Sequence, residues 1–206
     1  MADETGNIAA LILAGGHAAR LGGADKPGIT IAGRSLLAAV TAAAIEAGAI
    51  RVVVVGPARP DVMDARVAFT SEEPPGAGPV PAVRAGLARV CEPWLLLLAA
   101  DLPFLAGAHL RALRIAAQDA EAGVLLTDGQ GRPQWLVSCW RTARIRSALD
   151  EYGGASLGGL LGPLHPAEVM IGAEPGQPPP WLDCDTTDDL AAARAFADLD
   201  RKEGTR

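Results

Sequence analysis

The sequence predicts an α/β protein built on an open, mostly parallel sheet with helices on both faces. Two observations carry that expectation. Residues 7–13 and 94–100 are short, nearly uninterrupted apolar runs, and 50–55 is a β-branched run, as expected of strands buried on both faces. Between such runs lie longer stretches bounded by helix caps and stops.

Taken in order, residues 7–13 form the first strand and end in Gly15-Gly16. Residues 35–47 read as a helix capped by Ser35 and stopped by Gly48, and 50–55 as the strand that completes a βαβ unit. A weak strand at 67–70, a helix at 81–90 and a buried strand at 94–100 ending at Asp101 repeat the pattern. Residues 109–121 form a further helix with Gly123 as its stop, and 124–127 the next strand. The turn formers from Thr127 to Pro133 and a strand at 134–139 make a small antiparallel, hairpin-like excursion. Short helices at 141–151 and 157–161 and a strand at 168–171 follow. A proline-rich connector at 174–180 leads to a last helix at 186–199, capped by Thr186 or Thr187. This is a Rossmann-like arrangement, and such sheets bind ligands beyond the carboxyl ends of their strands. The segments after Leu13, Val55 and Ala100 are the places to look.

The chain has 206 residues and is 50% hydrophobic and 20% charged, enough to bury one sizeable core, and 1–206 is expected to be a single domain. A net charge of −6 argues against a broad cationic surface for nucleic acid. The apolar runs fall far short of the roughly 20 residues that cross a bilayer. The amino terminus lacks a positive leader segment, so a cytoplasmic location is expected. Cys91, Cys139 and Cys184 suit neither a disulfide framework nor a zinc site and are expected to be reduced filler. Of eighteen basic residues, Lys26 and Lys202 alone are lysines. A lysine kept in a glycine-rich loop points to a need for a compact ammonium in place of a planar fork.

The segment from Leu13 to Pro27 is the most informative. Gly15 and Gly16 let the backbone approach a ligand and supply amide donors for phosphate oxygens, Gly22 and Gly23 allow a second bend, and Arg20 and Lys26 add two cations. Neither the G-x-x-x-x-G-K-[ST] nor the G-x-G-x-x-G fingerprint fits. Leu13-Ala14-Gly15-Gly16, followed by Arg20, Gly22 and Lys26, instead resembles the signature loop of nucleotidyltransferases that join a nucleoside triphosphate to a phosphorylated acceptor. With its Gly-Gly-x-Asp-Lys ending it looks most like the molybdenum cofactor guanylyltransferase (MobA-like NTP transferase) family. The resemblance implies a nucleotide-diphospho-sugar transferase-like sheet. It also implies nucleotide binding by Leu13, Ala14, Gly15, Gly16, Arg20 and Lys26.

Ala100-Asp101-Leu102-Pro103 places a carboxylate directly after a buried strand, at the rim where ligands bind. The matching Asp of the family holds Mg²⁺ against the triphosphate, and a hard, oxygen-seeking ion suits that work. Gly78-Pro79-Val80 resembles the family element beneath the base and ribose, with helix initiation as the alternative. The family's usual Asp and Asn near the base are replaced here by Ser71, Glu72, Glu73 and Gly56-Pro57, leaving Glu72 as an acceptor for the guanine edge. Asp183-Cys184-Asp185-Thr186 resembles a late family segment with carboxylates in place of amides, so the resemblance implies a second metal contact from Asp185, with a helix cap as the alternative and Asp183 as its competitor. Arg132 and Arg141 fall where the family binds its phosphorylated pterin. His17, His109 and His165 have no metal-ligand spacing.

The resemblance thus implies an enzyme with Arg20, Lys26 and Asp101 as its catalytic residues. It would transfer GMP from MgGTP to molybdenum-loaded molybdopterin with release of pyrophosphate, and would make transient contact with a molybdoenzyme or cofactor chaperone. A cytidylyltransferase, or a relative with a sugar-phosphate or phospholactate acceptor, is the alternative within this chemistry. A non-catalytic sensor or cofactor-delivery protein is the alternative outside it.

Overall fold

The computed structural model describes residues 7–15, 25–171 and 178–203. Its central strand is β1 (Ile8–Leu13), with every residue buried. It lies parallel between β4 (Ala49–Val55) and β6 (Trp94–Ala99), with Leu13 beside Val55 and Ala99. The other strands of the large sheet are β5 (Val67–Thr70), β7 (Gly123–Thr127), β8 (Pro133–Arg141) and β9 (Ala167–Met170), in the order β5-β4-β1-β6-β8-β7-β9. All pairings are parallel except the two that β8 makes. The expected excursion is therefore a strand inserted between β6 and β7, and burial of Val137, Ser138, Cys139 and Trp140 is the cause. Asp128 reverses the chain by accepting the N–H groups of Gln130 (2.8 Å) and Arg132 (2.9 Å).

Alternation along β1 fixes the two helical layers. Ile8, Ala10 and Ile12 pack with α1 (Leu36–Glu46) and α3 (Gly107–Ala117). Ala9, Leu11 and Leu13 face α2 (Pro79–Leu87), α4 (Thr142–Glu151) and α5 (Leu157–Leu161). On α2, a Cβ at Gly86 would lie 2.1 Å from Leu11 Cδ1, so only glycine lets this helix seat on the sheet at that depth. The last helix, α6 (Thr187–Glu203), packs Leu190 and Ala193 with Cys184, Ile31 and Leu36.

Several helix and strand ends differ from expectation for local reasons. Ser35 does cap α1, accepting from Ala38 N–H at 3.1 Å. It also closes a two-strand hairpin, β2 (Thr30–Ile31) with β3 (Arg34–Ser35), too short to leave a periodic signal. Helix α2 starts two residues early because Gly78 is its N-cap and Pro79 its first residue. Helix α3 starts at Gly107, where His109 Nδ1 accepts the Ala106 N–H at 3.1 Å. It stops at Ala117, so Gly123 opens β7 and does not end the helix. Residues 174–177 of the proline-rich connector lie outside the described residues.

The arginine bias has a structural use. Arg111 and Arg114 of α3 donate to the carbonyls of Glu46 and Ala47 at the end of α1, at 3.0 and 3.3 Å. Arg146 of α4 donates to the carbonyls of Leu87 (2.9 Å) and Val90 at the end of α2. A planar guanidinium can serve several orphan carbonyls at a helix terminus. Cys139 and Cys184 are free and buried, as filler would be, but Cys91 is free and exposed. Among the described residues no helix is long and apolar enough to cross a membrane.

Candidate active site

The carboxyl ends of β1, β4 and β6 open onto one rim, and three distant segments meet there. Lys26 stands on a 3₁₀ turn (Lys26–Gly28), Asp101 follows β6, and Asp185 precedes α6. Lys26 Nζ donates to both Asp101 Oδ2 and Asp185 Oδ1. The lysine and Asp101 side chains are only 15% and 20% exposed, so solvent screens this contact weakly.

Asp185 is held from behind. Asp189 Oδ2 accepts from the Asp185 N–H at 3.1 Å and from the Thr186 N–H and hydroxyl at 2.7 Å each. Thr186 Oγ1 in turn accepts the Asp189 N–H at 3.1 Å. This reciprocal arrangement is a capping box, so Thr186 caps α6 and leaves the Asp185 carboxylate for Lys26. Asp189 was absent from the expected site, although its T-x-x-D spacing is legible.

Electrostatics follow from this crowding. Burial works against the Lys26 ammonium, but the hydrogen bond and charge of Asp101, then those of Asp185, outweigh it and raise its pKa above the ordinary value. Desolvation and the like charges of Asp185 and Asp101 raise Asp183. Burial, followed by the charges of Asp101 and Asp189, pushes the Cys184 thiol up to about 12, so it is no nucleophile at neutral pH.

Beside this cluster lies a cleft of about 660 Å³ whose walls include Ala14, Gly15, Lys26, Gly56 and Glu72. Glu72 is buried, and its Oε1 accepts the Gly76 N–H at 2.9 Å. That oxygen lies 3.5 Å from where a Cβ on Gly15 would stand, so Glu72 faces the glycine loop directly. Arg89, which carried no sequence signal, also borders the cleft.

Other expected residues are placed differently. Gly16 and Arg20, with His17, Gly22 and Gly23, lie outside the described residues. The Leu13 side chain is buried in the core and its carbonyl accepts from Ala100 N at 3.1 Å, so it supports the rim from beneath. Gly78 and Pro79 start α2, next to the Gly76 edge of the cleft. Arg132 stands on the β7–β8 turn at the same end of the sheet. Arg141 does not belong with it. Because β8 runs antiparallel, Arg141 pairs with Trp94 at the amino end of β6, and its guanidinium sits 4.6 Å over the Trp94 ring.

Asp101 and Asp185 are hard oxygen donors that converge on a single cation, the Lys26 ammonium. Mg²⁺ is bound through one or two carboxylates together with substrate phosphates and waters, so this donor pair fits such an ion. Among the described residues no group of three or more His, Cys, Asp or Glu could hold a metal. Substrate phosphates and waters are the usual further ligands of such an ion.

At the rim of an open, mostly parallel sheet, Gly15 beyond the central strand and a lysine with two carboxylates form a site suited to a nucleotidyltransferase. Residues 10–167 match the MobA-like NTP transferase domain, and the chain belongs to that family. It is 32% identical over 210 residues to the molybdenum cofactor guanylyltransferase of Acidiphilium cryptum, covering 95% of this chain and 98% of that one. It is 33% identical over 144 residues to the molybdenum cofactor guanylyltransferase of Rhodopseudomonas palustris strain BisB5, a match spanning 64% of this chain and 65% of the relative. In fold it resembles a nucleotidyl transferase from Methanothermobacter, with a TM-score of 0.71, 18% identity and 92% and 97% of the two chains covered. It also resembles molybdopterin-guanine dinucleotide biosynthesis protein A from Archaeoglobus fulgidus, with a TM-score of 0.68, 16% identity and coverage of 94% and 99%.

Proposed function

We propose that the protein transfers GMP from MgGTP to the terminal phosphate of molybdenum-loaded molybdopterin, releasing pyrophosphate. The observation that carries this reading is the meeting of Lys26 with Asp101 and Asp185 at the mouth of the cleft. The acceptor phosphate is an anion at neutral pH, so no base has to activate it. Its oxygen forms the new bond to the α-phosphorus while the bond to the bridging oxygen breaks, and pyrophosphate leaves with that electron pair. The protein's work is to align two anions and neutralise charge.

Gly15, Gly16 and Arg20 would cradle the β- and γ-phosphates. Lys26 has three N–H donors, so it can keep a carboxylate contact while donating to an α-phosphate oxygen. Asp101 and Asp185 would hold Mg²⁺, which when bound supplies charge neutralisation to the polyphosphate. Arg132, on the same rim, is assigned to the acceptor. The whole chain, 1–206, is taken as the working unit, in the cytoplasm.

Glu72 favours guanine over cytosine. An ionised carboxylate only accepts hydrogen bonds. Guanine offers adjacent N1–H and N2–H donors on its pairing edge, whereas the pairing edge of cytosine carries acceptors beside its single amine. Oε1 accepts the Gly76 N–H with one lone pair and keeps another, so Oε1 and Oε2 together can accept the guanine N1–H and N2–H pair that cytosine does not offer.

The test is pyrophosphate release with each of the four ribonucleoside triphosphates, Mg²⁺ and purified molybdenum-loaded molybdopterin. The expected result is turnover with GTP, lowered in preference by roughly tenfold or more in Glu72→Gln. Turnover with CTP in place of GTP would move the protein to the cytidylyl alternative, and pyrophosphate release with none would overturn the reading.

A further inference from the structure

We propose that Arg59 is a positioning residue for Lys26, holding the turn that sets where the ammonium stands. Arg59 comes from the connection between β4 and β5, which also supplies Gly56 and Pro57 to the cleft. Its Nη2 donates to Asp25 Oδ1, immediately before Lys26. Its Nη1 lies so near the far end of the turn that a Cβ on Gly28 would be 2.5 Å from it and 2.6 Å from Asp25 Oδ2. A side chain at 28 would have to displace the guanidinium or the Asp25 carboxylate from this contact.

The use made of Asp25 is the second observation. Asp25 occupies the N-cap position of the 3₁₀ turn, where an aspartate ordinarily accepts from its own helix. Here it makes no such cap bond, and its carboxylate goes to Arg59. The turn is left with two internal bonds, Gly28 N–H to the Asp25 carbonyl at 3.0 Å and Ile29 N–H to the Lys26 carbonyl at 3.1 Å. So short a turn cannot fix the direction of Lys26 by itself.

Burial acts on the arginine side of the clamp. The Arg59 side chain is 11% exposed, and its Nε is buried without a partner among the described residues. The Asp25 side chain is 62% exposed, so loss of Asp25 leaves a desolvated guanidinium without its partner, whereas loss of Arg59 leaves Asp25 to water and frees the turn. Arg59 thereby couples the β4–β5 connection to the turn that carries Lys26.

The lysine content supplies a direct readout. Lys26 and Lys202 are the only lysines, so reductive ¹³C-methylation gives two side-chain signals, with Lys202 as the internal reference. Lys26 is expected to react more slowly in the parent protein. Arg59→Ala and Asp25→Asn should each raise its rate several-fold relative to Lys202 and lower kcat by about tenfold or more through misplacement of the ammonium. The exchanged pair Arg59→Asp with Asp25→Arg should recover much of both. If Arg59→Ala does not fold, Asp25→Asn and the exchanged pair carry the test. Unchanged Lys26 labelling in the folded variants would overturn the proposal. The kinetic half rests on the function proposed above but the labelling half does not, so altered labelling in the variants together with no transfer activity in the parent protein would refute that function and leave the clamp standing.

Discussion

Lys26 and Asp101, 75 positions apart in the sequence, are joined by a hydrogen bond from Nζ to Oδ2 at the rim of the sheet. The ammonium is the pivot of the site, because Asp185 reaches the same nitrogen from a third segment. Lys26→Ala should lower kcat by about a hundredfold, the usual cost of removing one donor aimed at developing charge. Lys26→Arg should fail to restore it, since a planar fork cannot replace a point donor between two carboxylates.

The same contact predicts a dependence on pH. The folded-state pKa of Lys26 is raised above its ordinary value of 10.5. A group whose pKa rises on folding contributes stability that is fully present below its unfolded pKa and is lost as pH rises through the folded one. Urea unfolding measured from pH 9 upward should show stability falling once pH exceeds 10.5, with a shallower fall in Lys26→Met.

Asp189 gives a prediction that separates orientation from charge. Asp189→Ala removes the acceptor for the N–H groups of Asp185 and Thr186 and should cost about 1 kcal/mol of stability as a lost cap. It should also raise the metal concentration needed for half-maximal activity, because Asp185 loses its support. Metal titration of the initial rate checks the second effect.

Arg146 tests the helix-end arrangement away from the site. Arg146→Ala leaves the Leu87 and Val90 carbonyls without the guanidinium and should destabilise the protein by about 1 to 2 kcal/mol while leaving kcat unchanged. Denaturant midpoints together with initial rates provide the check.

Much of the fold was legible because its strands are buried on both faces, and continuous apolar runs such as 94–100 leave a strong signal. The position of β8 was not legible: a hairpin reads the same whether it hangs from an edge or fills the centre, and only the pairing of residues 94–98 with 137–141 decides it. That pairing is why Arg141 falls at the wrong end of the sheet for the site. Within the site, the loop glycines, Lys26 and Asp101 stand in local motifs. Arg59 carries no motif, because its role depends on Asp25, a residue 34 positions earlier. Asp189 lay within reach of sequence reasoning, since its spacing from Thr186 is that of a capping box.

The most direct measurement is pyrophosphate release by Asp101→Ala beside the parent protein, with GTP, Mg²⁺ and purified acceptor, after confirming that the variant melts at a comparable temperature. The proposed site predicts a fall in kcat of at least about a hundredfold. A variant that kept the parent's rate and its dependence on Mg²⁺ would contradict it.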